Sequence, residues 1–190
     1  VSCPSECLFP KPSGCHLKKL PLLLAILFGF WFFIRWVSIS LAPDAFQADP
    51  DNYRLLAIEL SANGVYGANA NPTAFRPPLY PWMLSFGVNA SHDLSPTFTK
   101  TLHSLLGAST CLLVFCSTAI AQSLLWPSCF KAFFDNSDSP SARSYRDSIQ
   151  HVTAPILAAS LVAIDPILVR QSQLIMTETL ATFLTAVTLL

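Results

Sequence analysis

Apolar and polar positions along the chain separate into long apolar runs and one turn-rich polar island. Leu20 to about Leu41 is apolar almost throughout, and at ~1.5 Å per helical residue it covers the ~30 Å hydrocarbon core of a bilayer. A second run of spanning length is predicted at 98–126. A third, about Val152 to Ile164, is short, carries Pro155 and needs flanking residues on both sides to cross. It ends at Asp165-Pro166, Ile167 to Thr177 reads as an outer turn or interfacial piece, and a fourth apolar run starts near Glu178. Between the first two runs, Tyr53, Leu56, Ala57 and Leu60 recur at i, i+3, i+4, i+7, opened by Asp49-Pro50 and closed by Asn63-Gly64. That pattern predicts an amphipathic helix of about three turns, too short and too charged to span. A loop of Gly, Asn, Pro and Thr follows, then Arg76-Pro77-Pro78-Leu79-Tyr80-Pro81, whose prolines fix the backbone. Leu79 to Val88 is predicted as a second interfacial helix, stopped by the polar stretch from Asn89 to Asp93.

These elements predict an all-α membrane protein, a polytopic transmembrane helix bundle with interfacial helices in its first extracytoplasmic loop. The segments are a cytoplasmic arm 1–19, span 1 at 20–41, an extracytoplasmic loop 42–97, span 2 at 98–126, a cytoplasmic loop 127–150, and spans 3 and 4 within 151–190. Lys11, Lys18 and Lys19 place the N-terminus on the cytoplasmic side of the cell inner membrane or its equivalent. Arg54, Arg76, Lys100 and Arg170 fall on the outer side and balance the inner count. A cleaved signal peptide fits less well, because the run is long, Pro43 crowds a cut after Ala42, and further apolar runs follow. The apolar run ending AVTLL has no polar flank, so the chain is expected to be the N-terminal part of a longer protein.

Composition sharpens the class. Of 190 residues, 52% are hydrophobic and 12% charged, where a soluble domain carries about 25% charged residues. The formal net charge is zero, which implies no nucleic-acid partner. The spacing of Cys3, Cys7, Cys15 and His16 matches no zinc pattern, and Cys111 and Cys116 sit in an apolar helix as small hydrophobes.

Several polar residues have two readings. Arg35, near the far end of span 1, reads first as a snorkelling anchor beside Trp31 and Trp36 in an aromatic belt, and second as a cation facing a site. His103 reads as a helix histidine satisfied by its neighbours, ahead of a ligand or base. Asp49 before Pro50 is a strong N-cap pair. Arg76 alone is an ordinary interfacial arginine, and Glu178 alone is a first-turn acid favoured by the helix dipole. Together they supply what transfer from a lipid-phosphate sugar needs at a membrane surface: a carboxylate for the acceptor proton and a cation for the leaving phosphate.

DPDNYRLLAIELSANGVYG followed by AFRPPLYPWML resembles the first extracytoplasmic loop of the multi-spanning GT-C glycosyltransferases, the superfamily of protein O-mannosyltransferases and aminoarabinose transferases. DPILVRQSQLIMTETL resembles the segment that enters the fourth span of that family. The resemblance implies Asp49 as the catalytic carboxylate, with Tyr53 in the place of the family's tyrosine. It implies Arg76 as the contact to the lipid phosphate, with Tyr80 of the same motif on the substrate side. Glu178 would share the cavity as a second catalytic acid, polarising the acceptor or joining a divalent metal; no residue is assigned as a metal ligand, no cofactor is certain, and a divalent metal stays open. The family's acid pair is broken here by Pro50, so Asp51 carries no assigned role.

The expected function is a membrane glycosyltransferase moving a sugar, with inversion, from a polyprenyl-phosphate donor to an acceptor hydroxyl whose parent molecule is unspecified. The lipid bilayer is its medium. The alternatives are a polytopic transporter, or a truncated, inactive membrane scaffold.

Overall fold

The computed structural model describes residues 20–68, 71–72, 76–125 and 153–190. The expected arm 1–19 and loop 127–150 lie outside the described residues. Among the described residues the regular structure is helical apart from one tiny hairpin and an isolated bridge between Val88 and Leu94. In chain order the helices are α1 Leu20–Ser40, α2 Tyr53–Asn63, α3 Leu79–Ser85, α4 Pro96–Leu125, α5 Thr153–Ile164, α6 Pro166–Gln171 and α7 Glu178–Thr188. The hairpin, not expected from the sequence, pairs β1 Gly67–Ala68 with β2 Asn71–Pro72 in antiparallel register.

Two helices, over Pro21–Ser40 and Pro96–Gln122, are long and apolar enough to cross a membrane. α5 and α7, expected as spans 3 and 4, are each too short to cross as they stand. α1 presents Leu22, Ile26, Phe30 and Phe33 outward, each more than half exposed. Large apolar side chains stacked one turn apart on an outer face suit lipid rather than water.

α1 and α4 run antiparallel. Lys100 Nζ donates to Ser40 Oγ at 3.3 Å, Arg35 lies against Gly107, and the Trp31 and Phe115 rings are 6.5 Å apart. α5 joins at the same end, since Arg35 Nη2 donates to the Val162 carbonyl at 2.8 Å. The described residues of 41–95 and the turn 165–177 therefore cap one end of the bundle. A core of Ile39, Phe46, Leu56, Leu84, Leu106 and Ile175 fills that end. A second, lower core holds Trp31, Cys111, Phe115, Ala159 and Ala163.

This packing corrects the reading of Arg35 as a snorkelling anchor in an aromatic belt. Trp31 is fully buried and Arg35 is 2% exposed, so both face the bundle interior. The physical reason is a missing donor. Val162 lies in the last turn of α5, and the residue four positions on is Pro166, which has no N–H. Arg35 supplies the hydrogen bond that the helix cannot, and Gly107 leaves the room: a Cβ there would meet Arg35 Cγ and Nε at 3.3 Å. Trp36, by contrast, meets a cation, with Lys100 Nζ 4.3 Å from its ring centroid.

Candidate functional site

The start of α2 departs from the expected Asp49-Pro50 cap pair. The helix begins at Tyr53 after a turn in which Asn52 is left-handed, φ 59°. Asp49 still serves the helix end from three residues upstream of the cap position: Oδ1 accepts the Tyr53 N–H at 2.9 Å and Oδ2 the Arg54 N–H at 2.8 Å. Two orphan N–H groups are thereby satisfied, and the dipole favours the negative charge. Each oxygen retains a further lone pair. At the other end Gly64, φ 67°, closes α2 by donating to Leu60 O at 3.1 Å, the left-handed stop that Asn63-Gly64 predicts.

The turn before Asp49 is stitched to the turn before Glu178. Phe46 N–H donates to Gln173 O at 2.7 Å, and Ile175 N–H to Ala48 O at 3.3 Å. Asp49 and Glu178, far apart in sequence, therefore arise from hydrogen-bonded neighbours at one end of the bundle. The Tyr80 phenol is held above its ordinary pKa first by burial and then by the charge of Asp49, with Tyr53 and Glu178 adding less and the Met176 backbone opposing the rise.

Tyr80 is fully buried. Its hydroxyl lies 2.8 Å from His103 Nε2, and His103 Nδ1 lies 3.0 Å from the Ser172 carbonyl. A carbonyl only accepts, so Nδ1 carries the proton, Nε2 accepts, and Tyr80 donates. This relay ties α3, α4 and the turn 172–177 together, and both nitrogens of His103 are satisfied. The Tyr53 ring packs edge-on against Tyr80, with centroids 5.3 Å apart and planes at 89°. Both rings assigned to substrate thus lie inside the core, where they position the loop around Asp49.

Arg76 is placed differently from the expectation. Its Nη1 is 2.7 Å from Asp51 Oδ1, so the ion pair is made with the acid that carried no assigned role. The Arg76 carbonyl accepts from the Tyr66 hydroxyl at 2.9 Å. The Tyr66 phenol is itself shifted up by partial burial, which its coupling to Tyr53 reinforces and Arg76 opposes. The signal that could have found the Asp51–Arg76 pair was present, since both charges flank the same amphipathic helix and hairpin. Pairing across a loop has no sequence period, so spacing alone did not reveal it.

Glu178 opens α7 in its first turn. Its Oε2 is buried without a hydrogen-bond partner, and it lines a cavity of about 590 Å³ between α4 and α7. Among the described residues no three His, Cys, Asp or Glu side chains converge as a metal site. Each Asp49 oxygen accepts one backbone N–H and keeps one lone pair for a further partner.

Comparison with protein-family models, with curated proteins and with solved structures finds no match for this chain.

Proposed function

We propose that the chain belongs to a membrane glycosyltransferase that moves a sugar, with inversion, from a polyprenyl-phosphate donor to an acceptor hydroxyl. One observation carries the reading. The turn that bears Asp49 is hydrogen-bonded to the turn that leads into Glu178, at the end of two helices of spanning length. In this reading Asp49 takes the proton of the acceptor hydroxyl as the hydroxyl oxygen attacks the anomeric carbon from the side opposite the phosphate. Arg76 exchanges part of its pairing with Asp51 for the leaving phosphate, a bidentate acceptor that suits a guanidinium. Glu178 faces the acceptor side, and Tyr80 with His103 holds the two carboxyl-bearing turns in register. The loop 42–97 is extracytoplasmic, the N-terminus is cytoplasmic, and the bilayer holds the prenyl chain.

The test is sugar transfer by the full-length protein in nanodiscs, with a radiolabelled polyprenyl-phosphate sugar and a panel of hydroxyl acceptors. Asp49→Asn should lower transfer at least about 100-fold, the usual range for loss of a general base, with membrane insertion unchanged. Transfer by Asp49→Asn at the wild-type rate removes Asp49 as the base.

A second reading, a polytopic transporter, draws on the buried Arg35 with its unpartnered Nε, because ionisable groups inside a membrane bundle mark pathways. It requires solute flux in proteoliposomes without any lipid-linked sugar.

A further inference from the structure

The cavity between α4 and α7 shares Glu178 with the proposed acceptor side but has walls of its own. At about 590 Å³ it falls in the ~300–1,000 Å³ range of small-molecule sites. Val114, Ala181, Ala186 and Leu189 make its walls mainly apolar. The four threonine hydroxyls of the lining commit their protons within their own helices, while Ser117 and the Gln171 amide line the same wall. Thr110 donates to Leu106 O at 2.9 Å, Thr118 to Val114 O at 2.7 Å, Thr182 to Glu178 O at 2.8 Å and Thr185 to Ala181 O at 2.9 Å. What these side chains keep is lone pairs. Glu178 adds a buried Oε2 that has no partner. The cavity is therefore an apolar trough whose wall is rich in acceptors, with the Gln171 amide and Ser117 adding donors, and its complement is a head that both donates and accepts, on an apolar body.

The charge on that donor is decided by what adjoins the trough. A smaller cavity of about 20 Å³ shares Thr110, Leu168, Gln171 and Thr182 with the large one, and Arg35 lines it. Arg35 Nε is buried without a partner. An anionic head would meet the Glu178 carboxylate, and an ammonium head beside Thr182, on the wall the two cavities share, would lie in the field of the Arg35 guanidinium, in surroundings where screening is weak. A hydroxyl escapes both conflicts, because it donates through its proton and accepts through its oxygen.

We propose that this cavity binds a hydroxyl-headed amphiphile, a neutral long-chain alcohol whose head sits at Glu178 and whose tail lies between α4 and α7. The site does not depend on what the loop 42–97 catalyses.

The experiment uses the full-length protein in nanodiscs with three diazirine-bearing C16 probes: the alcohol, its phosphate monoester and the corresponding primary amine. Crosslinks are mapped by peptide mass spectrometry. The alcohol should label peptides of α4 and α7, be competed by unlabelled hexadecanol, and exceed the phosphate and amine probes at least 10-fold. Glu178→Leu should lower alcohol labelling at least 10-fold, and Ala181→Phe, which fills the trough, should abolish it. Gel filtration checks that each variant folds, and Val114→Phe fills the trough from the opposite wall if Ala181→Phe does not. Equal labelling by the three heads overturns the proposal, leaving a groove that selects only for tails. Absence of labelling on α4 and α7 also overturns it, as when another segment of the chain or a second copy occupies the trough.

Discussion

Tyr80 shows how one side chain sets both stability and the geometry of the candidate site. Tyr80→Phe removes the donor to His103 Nε2 and leaves a buried acceptor unpaired, at a cost of about 1–3 kcal/mol. A thermal melt in detergent should register that loss, and His103 should then become the group whose replacement adds little more. The phenol also predicts an alkaline limb. Its folded pKa lies above the ordinary value of 10.0, so the folded state holds the proton more tightly than the unfolded chain does. Its contribution is fully present below pH 10 and is lost as pH rises beyond it, by up to about 1.4 kcal/mol per pH unit. The slope of stability against pH above 10 should be shallower in Tyr80→Phe than in the wild type, and an unchanged slope would assign that limb to other groups. Asp49 was readable as a helix cap from the sequence because capping is local chemistry. Its partner residues were not, because the left-handed Asn52 moves the helix start to Tyr53.

At the level of elements, the ends of helices explain more than their middles. α1 and α4 follow from apolar runs of sufficient length, and their observed limits differ by only one or two residues from 20–41 and 98–126. α5 ends where Pro166 withholds an N–H, and Arg35 completes that end from another helix. Arg35→Leu should therefore destabilise the bundle by about 1–3 kcal/mol, the cost of an orphaned buried carbonyl, measured by thermal melting in nanodiscs. Arg35→Lys should recover part of the loss, since an ammonium still donates, while an anchor that merely snorkels would tolerate either change. Gly87 makes a second element-scale prediction. A Cβ there would come within 2.6 Å of Phe98 Cγ, so Gly87→Ala should cost about 1–3 kcal/mol through forced repacking of the α3–α4 connection. Full stability of Gly87→Ala in the same melt would mean that Phe98 swings aside freely.

For the whole molecule, the ordering of elements along the bundle axis makes a membrane-depth prediction. Lys100 stacks on Trp36 and bonds Ser40, a level where a cation can meet water. The loop that contains His92 lies beyond it, and the outward Phe33 lies below it. In intact vesicles, a cysteine at His92 should react with an impermeant maleimide, and a cysteine at Phe33 should not. The six native cysteines are removed or blocked first. Equal reactivity at both positions would mean that α1 is bathed in water and that the apolar stripe faces no lipid.

The division between sequence and structure follows range. Hydrophobic run length, helical period and turn residues are properties of neighbours along the chain. They sufficed for the two long helices, for α2 with its Asn63-Gly64 stop, and for the acids at the heads of α2 and α7. The pairing of Arg76 with Asp51, the relay from Tyr80 through His103 to Ser172, and the turn of Arg35 toward Val162 join residues separated by long stretches of chain. No periodicity records such meetings, because they are chosen by which buried donor or acceptor lacks a partner once the helices have packed. Local pattern decided which segments become helices; only the folded bundle decided which charges and hydrogen-bonding groups answer one another.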